Sequence, residues 1–197
     1  MDELSLSQTL EQVCCLILEG KSDFAKKELR TTTASRLKRV ERKSRSLTHS
    51  LSVFSRDGFV DRYSGKRLVF PGVLLLLSRL YPQEFPYHRN WKMDSTHFAY
   101  WELSPTLDHI IPLARGGQDI GSNLVTTSML RNQAKANWTL EELGWKLLPP
   151  GDLGDWDGLM NRFIEIVRAN TNVLKDPKIR KWHAAATSLE SRDMYDA

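Results

Sequence analysis

The chain has 197 residues, 41% apolar, 26% charged and 9% aromatic, an ordinary folded-protein composition that excludes a disordered, collagen-like or disulfide-held chain. Its formal net charge of +4 is unevenly spread: −4 over residues 1–20, +7 over residues 21–45, where ten Lys and Arg stand against three acids, and +1 over the rest. A basic block of that density points to a polyanionic partner, since neutralised phosphates release condensed counterions, although a solvated helix face has the same composition.

Leu6, Leu10, Val13, Cys14 and Ile17 recur at helical spacing before Gly20, which predicts an amphipathic helix over residues 5–19. Cys14 and Cys15 are adjacent and supply neither a zinc knuckle nor a useful disulfide. Asp2 and Glu3 stand where a secretory signal would be basic. The apolar run at residues 73–77 is five residues long, against the roughly 20 needed to cross a bilayer. A cytoplasmic protein without a membrane span is expected. A short helix over residues 22–29, capped by Ser22, precedes a longer one of about 20 residues from Ser35, with Leu37, Val40, Leu47, Leu51 and Phe54 on its apolar stripe. That helix carries Arg36, Arg39 and Arg42, the candidate nonspecific phosphate contacts, and ends near Gly58.

Residues 59–63 and 67–70 flank Ser64-Gly65-Lys66 like a hairpin, and Pro71-Gly72 opens a helix that closes before Pro82. Residues 82–95 read as irregular, 96–103 as a strand and 106–111 as a second extended stretch ended by Pro112. Pro149-Pro150-Gly151 opens a loop running to Gly158, followed by helices over 159–169 and 178–186 and a frayed end at 191–197. The expected division is a helical segment at 1–56 with the basic helix, a central core at 57–148 and a helical segment at 149–197.

Residues 107–135 carry the chemistry. Asp108 and His109 are adjacent on an extended segment, so their side chains diverge. Gly116-Gly117 turns the chain, Leu124-Val125 offers a second strand, and Thr127 or Ser128 caps a helix that bears Asn132 and Lys135 at i and i+3. The order is strand, turn, strand, helix. Taken singly, Asp108 reads as a turn cap, His109 as a satisfied imidazole, Asn123 as a turn residue and Lys135 as a solvated lysine; it is the spacing of the set that favours a site.

This set resembles the HNH endonucleases, whose ββα-metal motif has an Asp-His pair on the first strand, an Asn in the loop and a His or Asn on the helix. Asn123 lies 15 residues and Asn132 lies 24 residues after Asp108, the family's spacing. Ser128 and Arg131 stand where many relatives carry a second Cys pair, so the subgroup without structural zinc is indicated. The resemblance implies an α+β fold with a ββα-metal core and mainly helical flanks. It implies His109 as general base, Asp108 and Asn132 as metal ligands, Asn123 as the residue that holds the loop and orients the base, and Arg115, Arg131 and Lys135 as phosphate contacts.

The residue types suit that chemistry. A neutral histidine, with an ordinary pKa of about 6.5, takes a proton from water at physiological pH. One carboxylate and one amide oxygen suit Mg²⁺ or Mn²⁺ with positions left for water and phosphate. His88 and His97 flank Trp91, Phe98, Tyr100 and Trp101 and read as part of an aromatic wall, and Glu102 as a surface charge rather than a metal-facing one. The expected activity is metal-dependent DNA hydrolysis in a restriction or defence setting, with DNA as partner and a homodimer or a defence-system protein as further company. An RNase or toxin-like effector using the same site, and a non-catalytic nucleic-acid-binding protein on the same scaffold, are the competing readings.

Overall fold

The first two amphipathic stretches become α1 (Leu6–Leu18) and α2 (Ser22–Thr33) in a computed structural model that describes residues 6–33 and 45–193. By its contacts the chain divides after Val40 into two compact units. In the first, α1 and α2 pack on each other, with Val13 and Ala25 buried. The turn closes through Lys21 N–H donating to the Leu16 carbonyl at 2.8 Å, a bond that satisfies one of the carbonyls a helix leaves orphaned at its C-terminus.

The second unit begins at Glu41, earlier than the 56/57 boundary expected from the sequence. The anticipated basic helix lies in part outside the described residues, and Arg36, Arg39 and Arg42 fall there. Its described part is shorter than expected. Residues 45 and 46 are not helical, and α3 (Leu47–Arg56) starts only after Ser46. Ser46 is extended and its hydroxyl accepts the His49 N–H at 3.1 Å. A serine that can cap a helix competes with continuing one.

The hairpin expected at 59–70 reduces to a single bridge, Val60 with Arg67. The reason is Asp61, which is buried and turns the loop on itself by accepting the N–H groups of Tyr63 and Ser64. The chain then forms α4 (Pro71–Leu80), with Pro71 in the first turn, where its missing N–H leaves nothing unpaired. Residues 82–95 form no regular element, as expected. The strand expected at 96–103 is instead α5 (Ala99–Leu103). Tyr100 and Leu103, three residues apart, both pack on a cluster built on Val69 and Leu74, a spacing that only a helical turn can bring to one side.

Two strands follow, β1 (Pro105–His109) and β2 (Leu124–Ser128), paired antiparallel with Leu107 opposite Thr126 and His109 opposite Leu124. Every residue of β2 is buried, yet the sheet has only two strands, so its second edge needs other partners. Two aspartates and one backbone amide supply them. Thr126 N–H donates to Asp57 at 2.7 Å, Ser128 N–H to Asp61 at 3.0 Å, and the Thr126 carbonyl accepts from Arg62 N–H at 2.9 Å.

The Ser128 side chain caps α6 (Met129–Lys135) by accepting the Arg131 N–H. Two longer helices complete the chain, α7 (Met160–Ala169) and α8 (Pro177–Asp193), the latter longer than expected from the sequence at both ends. The core gathers α3, α4, α7 and α8 around Phe70, whose ring meets Phe59, Phe163 and Trp182 edge-on at 5.2–6.3 Å. The described residues thus mix eight α-helices with one small antiparallel sheet, compatible with the α+β class. No helix among them is long and apolar enough to cross a membrane.

Candidate functional site

The loop between the two strands is shaped by two glycines and one asparagine. Gly116 has φ +88°, a conformation that side chains rarely adopt, and it closes the short turn at Leu113–Arg115. A Cβ on Gly117 would run into the Ile111 carbonyl. Asn123 then ties the loop together: its Oδ1 accepts the Ile111 N–H at 2.9 Å, while its Nδ2 donates to the carbonyls of Ile111 and Gln118 at 3.0 and 2.8 Å. Because carbonyls only accept, those bonds fix which way the amide points. Asn123 therefore holds the loop, as anticipated, but makes no bond to the His109 ring.

The ring's partner is Asp119, which the sequence reading missed. Asp119 Oδ1 lies 2.8 Å from His109 Nε2, and an Arg45 guanidinium N–H donates to the same oxygen. With a carboxylate accepting at Nε2, that nitrogen carries the ring proton of the neutral imidazole and Nδ1 keeps the lone pair. Arg45 donates its other terminal nitrogen to His49 Nε2 at 2.8 Å. Nothing in the spacing marked Asp119; it stands in a loop ten residues beyond His109, and the turn at Gly116-Gly117 brings it back. In the sequence Arg45 is only one cation of the basic block.

Asp108 is 7% exposed. Its Oδ2 accepts both the Tyr63 hydroxyl at 2.6 Å and the Lys135 ammonium at 2.8 Å. Burial first, and then the charge of Asp108 and the bond to it, push the Tyr63 phenol well above its ordinary range, so it stays a donor. The expectation that Lys135 meets phosphate is corrected here. Lys135 is fully buried, and its ammonium also donates to the His109 carbonyl at 2.7 Å. A lysine at the last turn of a short helix reads as solvated from sequence; β1 lying beneath α6 encloses it instead. It positions Asp108 and the backbone that carries His109.

Asn132 Nδ2 donates to the Leu107 carbonyl and the Thr106 hydroxyl, both at 3.0 Å. The carbonyl can only accept, so Oδ1 is the atom left without a donor among the described residues. Asp108 Oδ1 is likewise without one among the described residues. Arg45, Asp108, His109, Asp119 and Asn132 line a single cleft of about 210 Å³. A carboxylate oxygen and an amide oxygen, both bare of protein donors and both fixed through their other atoms, fit a hard divalent cation that keeps water and phosphate as its remaining ligands. No three His, Cys, Asp or Glu side chains converge on one point among the described residues, so such an ion would rely on those outside ligands.

The remaining candidates fall in two groups. Arg131 stacks over Trp145 at 4.8 Å, and its guanidinium has no hydrogen bond within the described residues, an arrangement that leaves it available to an anion. Arg115 is engaged within the chain, donating to the Asn137 carbonyl and Glu142 and lying over Trp138. The Glu142 carboxyl is held below its usual range by the Thr139 backbone N–H, the Thr139 hydroxyl and Arg115. Glu102 pairs with Lys66 at 2.7 Å on the surface and is not part of the cleft. His97 stacks on Phe85 with ring centres 4.1 Å apart, and His88 accepts the Asn90 N–H. No family model, no curated protein and no solved structure matches the chain.

Proposed function

We propose that the chain is a metal-dependent endonuclease of the HNH type that hydrolyses DNA phosphodiester bonds. The observation that carries this reading is that one cleft is lined by His109, whose Nε2 is paired with Asp119, together with Asp108 and Asn132, each of which has one oxygen without a protein donor among the described residues. A strand–loop–strand–helix order around that cleft, with Asn123 tying the loop, supports the same reading.

In this mechanism His109 Nδ1 accepts a proton from the attacking water as the water oxygen bonds to phosphorus. The bond from phosphorus to the 3′ oxygen breaks, and that oxygen leaves with a proton from solvent. Asp119 steadies the imidazole and the imidazolium it becomes. Asp108 and Asn132 would hold a Mg²⁺ or Mn²⁺ ion, which when bound supplies charge neutralisation for the phosphoryl and leaving oxygens. Lys135 and Tyr63 keep Asp108 in place, and Arg45 and Arg131 offer positive charge to phosphate.

Nicking of supercoiled plasmid in Mg²⁺, with an EDTA control and a structured RNA alongside, tests the proposal. Nicking that stops in EDTA and is lost in His109→Ala is expected. Cleavage of the RNA alone would replace this reading by an RNase or toxin-like effector, and binding without cleavage of either would leave a non-catalytic nucleic-acid-binding protein.

A further inference from the structure

Behind the strand that carries Asp108 lies a second, larger cavity of about 480 Å³, within the range of small-molecule sites. Its walls are the rings of Tyr87, Trp91, Tyr100 and Trp182, and Lys178 and Lys181 also line it, with no Asp or Glu among its lining residues. Tyr100 is buried, its ring packed by Phe85, Tyr87 and Trp91 and its hydroxyl donating to the Leu74 carbonyl, so it backs the cavity rather than opening onto it. Lys178 lies over the Tyr87 ring at 4.6 Å, and Lys181 is exposed and makes no ion pair among the described residues. Ser104 also lines the cavity; it is 6% exposed, and its hydroxyl makes no hydrogen bond among the described residues. Flat aromatic walls, a spare hydroxyl and two lysines suit a planar heteroaromatic ring that carries a phosphate; the neighbouring acid, Asp176, lines the adjoining pocket and accepts the Lys178 and Ile179 N–H groups.

The cavity adjoins the cleft. Pro105, Thr106 and Met129 line the cavity, whereas Leu107, Asp108 and Asn132 line the cleft, and the Thr106 hydroxyl accepts from Asn132 Nδ2. Two residues of strand separate Thr106 from Asp108, roughly 7 Å. We infer that the cavity receives one nucleotide of the substrate strand, its base against the half-buried Trp91 and Trp182 with an edge atom on Ser104, and its phosphate at Lys178 and Lys181. This inference rests on the nuclease reading for its choice of ligand. Stacking of bases on aromatic side chains beside cations is how single strands are held generally, and enzymes that act on a base accommodate it, turned out of the stack, between aromatic and apolar side chains.

The test is binding in EDTA, where turnover does not intervene, read as quenching of tryptophan fluorescence in His109→Ala and in the unmodified chain. The probes are a single-stranded DNA hexamer, an abasic hexamer of the same charge, and the free deoxynucleoside monophosphates. Saturable quenching by the DNA hexamer in both proteins is expected. The abasic hexamer and the free monophosphates should bind at least about tenfold more weakly, and Lys178→Glu/Lys181→Glu, which alters only exposed side chains, should weaken hexamer binding by about tenfold or more. Equal binding of the abasic hexamer, or an unaffected double variant, would overturn the inference. Monophosphates binding as tightly as the hexamer would overturn its strand assignment in favour of a free-nucleotide pocket. Base-dependent binding alongside a plasmid that is never nicked would refute the nuclease reading while leaving the cavity's ligand standing.

Discussion

At the scale of single residues, the proposed mechanism pairs each reactive group with one that aims it. If His109 is the base, His109→Ala should lower the rate by about 10² to 10⁴, with DNA affinity nearly unchanged because the base would act on water. Asp119→Ala leaves the imidazole present but unheld, so kcat should fall by about 10²-fold with KM little moved, as single-turnover kinetics would show; an unchanged kcat would remove Asp119 from the mechanism. Asn132 lines the cleft while its Nδ2 bonds β1, which in the proposed mechanism leaves Oδ1 for the metal. Asn132→Ala should raise the Mg²⁺ concentration needed for half-maximal rate, and Asn132→His should shift preference toward Ni²⁺, Co²⁺ or Zn²⁺; a wild-type metal titration for the alanine variant would exclude Asn132 as a ligand. Tyr63 gives a test independent of activity. Its phenol is held protonated in the folded chain, chiefly by burial, whereas in the unfolded chain it titrates near the ordinary value of about 10. The unfolded state alone therefore loses this proton just above pH 10, so the stabilisation is complete below pH 10 and declines as pH rises beyond it. Urea melts at pH 8 and pH 11 should show a smaller loss in Tyr63→Phe than in the unmodified chain.

At the scale of elements, the two-stranded sheet is completed by side chains. Asp61 accepts the Ser128 N–H, the Thr127 hydroxyl and two N–H groups of its own turn, all in a buried setting. Asp61→Ala would orphan these donors and should destabilise the fold by about 3 kcal/mol or more, measured by denaturant midpoint; a change under about 0.5 kcal/mol would mean that water replaces the carboxylate there. The same elements show which local signals carry over from sequence to structure. Ser128, the Gly pair and Pro71 act within their own turn, and the structure has them where their chemistry predicts. The stretch 96–103 does not behave that way. Aromatic, apolar runs of that length suit strand or helix equally, and the choice fell to the cluster on Val69 and Leu74 that Tyr100 and Leu103 join.

At the scale of the whole molecule, the uneven charge is the property most directly testable. If Arg36, Arg39 and Arg42 each meet a phosphate, replacing all three by Gln should reduce the slope of log K against log salt by about 2.7. An unchanged slope in a folded variant would assign that block to solubility or to a protein partner. Arg45 is best tested separately, because it holds Asp119 as well as adding charge to the cleft. Strand, glycine turn, strand and capped helix were legible in the residues themselves, along with Asn123 as the anchor of the loop, because each depends on neighbours a few positions away or on a backbone conformation that few residue types adopt. The burial of Lys135, the approach of Asp119 to His109, the arrival of Arg45 in the cleft and the aromatic cavity behind β1 were decided by tertiary packing. The bonds among these join residues from 10 to 74 positions apart, and the cavity gathers residues between Leu47 and Trp182; no local pattern encodes which distant side chain will fill the space that a packed core leaves.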